Sequence, residues 1–191
     1  CAITRQPLPL KKEFLFLYIV CGLLGSVIPG TLYFYAASRI SAGVLSITIA
    51  TVPLITFVAA AALRIEAMSF LRVAGVLFGI ISIALLVIPG TSLPDPAATP
   101  WVLVMVVAAS CYAAENLVVA SRTPPGHNVF VIVTGMLIAA TIMLTPIVWL
   151  SGAFTFISWP PGRSDWAILS MAVITATAYG GFYYLVLRAG P

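Results

Sequence analysis

Residues 14–37 read FLFLYIVCGLLGSVIPGTLYFYAA, an apolar run without a charged side chain. A helix needs about 20 mostly apolar residues to cross the hydrocarbon core of a bilayer, and this run has that length. The basic residues Arg5, Lys11 and Lys12 precede it, as they would in a secretory leader. The apolar core of a leader is only about 7–15 residues long, however. Residues 14–37 therefore read as a spanning helix, and the fold follows from asking how many more there are.

Working outward, charged residues and turn formers cut the chain into five further apolar pieces, at 44–63, 70–89, 101–121, 128–150 and 166–188. The links between them are short and carry Pro94-Asp95-Pro96, Pro124-Pro125-Gly126 and Pro160-Pro161-Gly162, which mark turns. Short links make neighbours in sequence antiparallel neighbours in a bundle. The expected fold is an all-α polytopic membrane protein with six transmembrane helices visible.

Composition agrees. Hydrophobic residues make up 62% of the 191-residue chain and charged residues 7%, against about 25% charged in soluble domains. A chain of this size buries only roughly 70% of its surface when it folds in water, so its solvent must be lipid. The net charge of +4 is no nucleic-acid signal, because the basic residues stand singly at segment edges without a basic face. Their distribution sets orientation instead. Arg5, Lys11, Lys12, Arg64, Arg72, Arg122 and Arg188 fall on one side, and Arg39 and Arg163 on the other. The first side is expected to be cytoplasmic. Cys1, Cys21 and Cys111 have neither disulfide nor metal spacing, and Cys21 and Cys111 read as small packing residues.

An internal match adds a second level of organisation. Tyr33-Phe34-Tyr35 with Arg39, and Phe182-Tyr183-Tyr184 with Arg188, recur at an offset of 149 residues. Both triplets end a drawn span, the first and the sixth. An odd number of spans separates them, so the copies face opposite ways across the bilayer. Inverted repeats of this kind characterise secondary transporters. Completing them predicts a ten-helix bundle of two inverted five-helix repeats, from which this chain is expected to be a middle piece. Residues 1–90 would end the first repeat with three spans. Residues 91–100, rich in Pro, Thr and Ala, would be an external linker, and residues 101–191 would start the second repeat with three spans.

Several stretches resemble the EamA-type transporters of the drug/metabolite transporter superfamily. They are the aromatic helix end followed by Ser41-Ala42-Gly43, the Val52-Pro53-Leu54 motif inside span two, the turn Leu63-Arg64-Ile65-Glu66, and the stretch Gly75 to Val87. They correspond in order to about the third to eighth of ten family helices. The turn departs from the family's Leu-Gly-Glu pattern, and Ser82 stands where a second glycine is common. The resemblance implies a secondary transporter that moves a small organic metabolite, amino acid or drug by alternating access. It implies a multi-pass protein of the cell (inner) membrane.

Candidate residues follow from what hydrocarbon forbids. Glu115, in Cys111-Tyr112-Ala113-Ala114-Glu115-Asn116, lies inside span four, roughly 9 Å from its cytoplasmic end at 1.5 Å per residue. An ionised carboxylate in hydrocarbon costs at least ~2.5 kcal/mol. Glu115 therefore either faces a cavity, to bind a substrate ammonium or carry a coupling proton, or pairs with Arg122 two turns on. Asn116 either lines the same cavity or joins helices. Tyr33, Tyr112 and Tyr183 are candidate substrate-binding aromatics, whose ring faces suit an organic cation; the competing role is the interfacial aromatic belt, which fits Tyr35 and Tyr184 better. Trp101 reads as an anchor. Pro29-Gly30 and Pro53 are candidate gating or kink positions, since each proline frees a carbonyl one turn back; Pro146 reads as a fixed kink. The small residues Gly22, Ser26 and Gly30, and Gly75 and Gly79, have the four-residue spacing of close helix packing.

The expected partners are a small-molecule substrate, the lipid bilayer, a coupling proton and, as an option, a second copy of the chain as a homodimer. No nucleic acid, no metal and no cofactor is expected. The alternatives are a channel-like or non-transport intramembrane protein. An enzyme is disfavoured: His127 is the single histidine, and it falls in a drawn loop.

Overall fold

The structure, a computed structural model, describes residues 8–64, 70–87, 98–123, 129–152 and 159–189. Among the described residues all regular structure is helical. Span one comprises α1 (Lys12–Gly22), a π-helical segment (Leu23–Val27) and α2 (Ile28–Ala37). Glu13 sits in the first turn of α1, where the helix dipole favours a negative charge. Span two is α3 (Ala42–Ile49) and α4 (Val52–Ala62), and α5 covers Phe70–Val87. Then come α6 (Thr99–Arg122), α7 (Val129–Leu150) and α8 (Arg163–Ala189). Lys12–Ala37, Ala42–Ala62, Thr99–Arg122 and Val131–Leu150 are long and apolar enough to cross a membrane. The other two drawn spans are helices as well, α5 and α8, and the drawn edges hold to within three residues.

The interruptions have local causes. In the π-helical segment the Ile28 N–H donates to the carbonyl of Leu23, five residues back rather than four. Pro29 follows in the first turn of α2 and has no N–H to donate. In span two, Pro53 stands in the first turn of α4, and the helix breaks just before it, at Ala50 and Thr51. The Thr51 hydroxyl there donates to the Thr48 carbonyl at 2.6 Å, and the Thr48 hydroxyl to the Val44 carbonyl at 2.8 Å. Ser41 caps α3 by accepting from the Val44 N–H. At the start of α8 the Gly162 N–H donates to an Asp165 carboxylate oxygen at 2.8 Å.

Helix α6 is the hub. It packs against α1, the π-helical segment, α2, α3 and α4, while α7 packs against α1 and α8 against α7. One apolar cluster, with Ala36, Ile40, Val44, Leu45, Val102 and Met105, closes the end that carries Arg39. There the Arg39 guanidinium lies over the Trp101 ring, 5.4 Å from its centroid, which gives the Trp101 anchor a partner. A second cluster, with Phe14, Leu17, Tyr18, Cys21, Ile132 and Met136, closes the opposite end. Large apolar side chains such as Phe34, Leu103, Ile142 and Trp149 are exposed, as a lipid-facing surface requires.

The repeated aromatic triplets both sit near the end of a helix, but the ends differ. Helix α2 stops at Ala37, so Arg39 lies in the following turn, whereas α8 continues through Arg188 to Ala189. Small-residue packing holds at two of the expected glycines. A Cβ on Gly22 would stand 2.9 Å from the Met136 carbonyl oxygen and 3.2 Å from the Ala140 nitrogen, so the backbones of α1 and α7 touch there. A Cβ on Gly79 would collide with Leu54, while Gly30 and Gly75 face open space. In the Leu63-Arg64 turn, Arg64 has φ +57°, a left-handed conformation that costs a non-glycine residue roughly 1–2 kcal/mol; Ile65 and Glu66 of the same motif lie outside the described residues.

Two stability predictions follow from these backbone contacts. Gly22→Ala should lower the unfolding free energy in detergent by about 1–3 kcal/mol, since neither backbone can give way as a side chain would, while Gly30→Ala stays within about 0.5 kcal/mol. Equal effects of the two variants would refute the close approach. Arg64→Gly should raise stability by about 1 kcal/mol by removing the left-handed side chain; an unchanged thermal midpoint would count against that conformation.

Candidate functional site: a buried carboxylate between spans one and four

Helix α6 meets span one through a face of small residues. Ala108, Ala109 and Ala113 are fully buried along it, and their short side chains let the helices approach. Glu115 follows on this side and is 6% exposed, the one buried charged residue among those described. The residue opposite is Gly25, in the π-helical segment. A Cβ on Gly25 would stand 2.8 Å from the Glu115 carboxyl carbon and 3.1 Å from Oε1. The carboxyl thus lies directly against the backbone of span one, in the space that a Cβ at position 25 would take.

Glu115 has no charged partner there. Among the described residues it makes no ion pair, and Arg122, the partner considered from sequence, is exposed at the end of α6. Nor does any described residue donate a hydrogen bond to it. Its surroundings are Cys21, fully buried on α1, and Tyr112, one turn back on α6. Both are within electrostatic range of Glu115, and Tyr33 of α2 is within range of Tyr112.

The other candidates are placed as follows. Tyr33 is half-buried, packs against the cluster at the Arg39 end, and meets Phe34 edge-on at 5.7 Å. Tyr35 is exposed, as a belt residue should be. Tyr112 and Asn116 are half-buried, and the Asn116 amide has no side-chain hydrogen bond among the described residues. The structure therefore brings Glu115, Tyr112 and Tyr33 into one neighbourhood, with Asn116 beside it. Pro29 is buried in the same wall of span one, one turn after Gly25. Gly30 makes no close approach. Pro53 is exposed, and its visible effect is the break in span two. The Tyr183 side chain lies outside the described residues.

Sequence reasoning missed three contributors. Gly25 fell outside the small-residue stripe, although it precedes Pro29 by four residues. Cys21 reads from sequence as packing alone, and it precedes Gly25 by four in turn. Tyr18 is buried with its ring over Gly135 and its hydroxyl without a hydrogen-bond partner among the described residues. Such orphaned buried groups are uncommon in folded proteins.

The absence of a partner makes a measurable difference. Replacing one member of a buried ion pair costs about 3–5 kcal/mol. Glu115→Gln, nearly isosteric and lacking a counter-ion to strand, should cost less than about 1 kcal/mol in detergent unfolding. A loss in the ion-pair range would reveal a partner for the carboxylate.

Comparison with known proteins bears on the first half of the chain. Residues 1–88 match the EamA-like transporter family, whereas the resemblance seen in the motifs extended further. No curated protein and no solved structure matches the chain. With this match over residues 1–88 and four helices long and apolar enough to cross a membrane, the chain is an integral multi-pass membrane protein that is similar over that stretch to the EamA-like transporter family.

Proposed function

We propose that the protein is a secondary carrier of the cell membrane that moves a small organic metabolite, amino acid or drug by alternating access. The observation that carries this reading is Glu115: a carboxyl buried in hydrocarbon, unpaired among the described residues, at the contact between two spans. Intramembrane acids are costly and persist where they serve a pathway or a relay. The family match adds that the first half of the chain is built as in a transporter family.

In this reading the solute path runs along the α2–α6 face. Tyr33 and Tyr112 offer ring faces and hydroxyls to an organic solute, Asn116 offers an amide without a side-chain hydrogen bond among the described residues, and Glu115 stands beside them as the ionisable group. Tyr183 would join them from the second repeat. The π-helical segment and Pro29 lie in the wall of this path, where span one is least regularly hydrogen-bonded. Segments of this kind mark sites of function and movement within helices. A channel would instead need a filter loop or a ring of charge, and no described segment has that form.

The test is solute counterflow in proteoliposomes with labelled amino acids and organic cations. Saturable exchange without an ion gradient is the expected result. Flux that rises linearly with concentration would indicate a channel, and no exchange of any compound would count against a carrier. Tyr33→Ala and Tyr112→Ala should each weaken half-saturation roughly tenfold, matching about 1–2 kcal/mol for a lost ring contact. If both variants keep wild-type half-saturation, the solute path is elsewhere.

A further inference from the structure

We propose that Glu115 is the proton-carrying group of the transport cycle, and that its site against Gly25 admits a proton and excludes the organic solute. The inference rests on the carrier reading above and names its coupling ion.

The first argument is space. The Glu115 carboxyl lies so close to the Gly25 backbone that a methyl there would require the carboxyl to shift. Two grooves run along α7, one lined by Ile142, Thr145, Pro146 and Trp149, the other by Thr134, Ile138 and Thr141, and neither is lined by Glu115 or Gly25. In this packed arrangement an ammonium group on an organic molecule cannot stand between Glu115 and span one. A proton can.

The second argument is charge. A carboxylate in this position needs a cation or donors to replace water, so the groups facing it decide its state. Span one contributes Cys21 and, one turn further along, Tyr18. Helix α2 contributes Tyr33, and α6 itself contributes Cys111 and Tyr112. Helices α3, α4 and α7 contain no titratable residue. None of these groups is a cation. A metal ion would need several oxygen ligands at once, and no cluster of acidic or other ligating residues occurs among those described. Protonation neutralises the group without any partner.

The third argument is the backbone opposite. Pro29 has no N–H, so the carbonyls one turn back, at Leu24 and Gly25, have one donor fewer between them. A protonated carboxyl has an O–H to donate, and an ionised one has none. The π-helical segment therefore lacks what a protonated Glu115 supplies. Movement of span one away from α6 would expose the carboxyl to water and release the proton; the return movement would require its uptake again. No other bond changes in this step.

Infrared difference spectroscopy on the protein in liposomes, in sodium-free buffer without solute, tests the assignment. Raising the pH should bleach a protonated-carboxyl C=O band, and Glu115→Gln should abolish that band while the other carboxyls keep theirs. A titrating band that survives in Glu115→Gln overturns the proposal. So does a band that sodium bleaches at constant pH, which would mark a metal-ion site. Should Glu115→Gln fail to fold, Gly25→Ala reads the same group: the methyl should shift the frequency of the band, and an unmoved band overturns the proposal. Counterflow of labelled amino acids in the same liposomes keeps the two ideas separate. Counterflow without the Glu115 band refutes the proton site alone, and the band without counterflow refutes the carrier alone.

Discussion

Hydrocarbon offers no hydrogen bonds, and every irregularity in this bundle is shaped by that fact. A spanning segment can leave the regular helix only where another group satisfies or shields the freed backbone. The chain departs from regular α-helical bonding in the first two spans, in both cases beside a proline. Next to Pro29 the chain widens into a π-helical turn, and the Thr31 hydroxyl donates to the Val27 carbonyl at 2.6 Å. Next to Pro53 it breaks, and Thr48 and Thr51 bond back to carbonyls in the preceding turn. At Pro146 the helix continues, with Thr141 and Thr145 donating to Leu137 and Thr141. A threonine hydroxyl thus serves the backbone near each proline. At Pro29 the segment has in addition an ionisable side chain against it.

That juxtaposition depends on size. Helix α6 can serve as the hub because Ala108, Ala109 and Ala113 present almost nothing to the neighbouring helices. Gly25 supplies the missing volume from the other side. A bulkier residue at any of these positions would separate span one from α6 and admit lipid or water to the carboxyl. Apolar clusters at both ends keep that from happening. The energetic demand of one buried acid is thereby spread over packing along the whole contact, and packing of this kind, rather than a counter-charge, fixes the position of Glu115.

The spans were legible in the sequence because length and apolarity are what a bilayer demands of a segment. Glu115 was legible for the converse reason, as the one acid inside a drawn span. What the acid touches was not legible. In lipid all faces of a helix tend to be apolar, so periodicity does not say which side of span one meets α6. The π-helical turn adds a residue's worth of rotation that no spacing rule anticipates, and it brings Gly25, rather than its neighbours at 22, 26 and 30, to the carboxyl. The left-handed Arg64 was hidden in the same way, since nothing in an Arg side chain announces a positive φ and only the backbone shows it.

The placement of the site also gives meaning to the limited reach of the family match. Gly25, Pro29 and Tyr33 lie within residues 1–88, and Tyr112, Glu115 and Asn116 lie after them. The matched residues, 1–88, contain only the wall; the ionisable group comes from beyond them. In the carrier reading proposed above, the site needs a surface that opens and closes, and the contact between span one and α6 is such a surface. The wall has to pack closely in the closed state, which a glycine beside a π-helical turn allows. In that reading the α6 stretch from Cys111 to Asn116 supplies the group that sets what is carried, and Gly25 and Pro29 supply the surface it closes against.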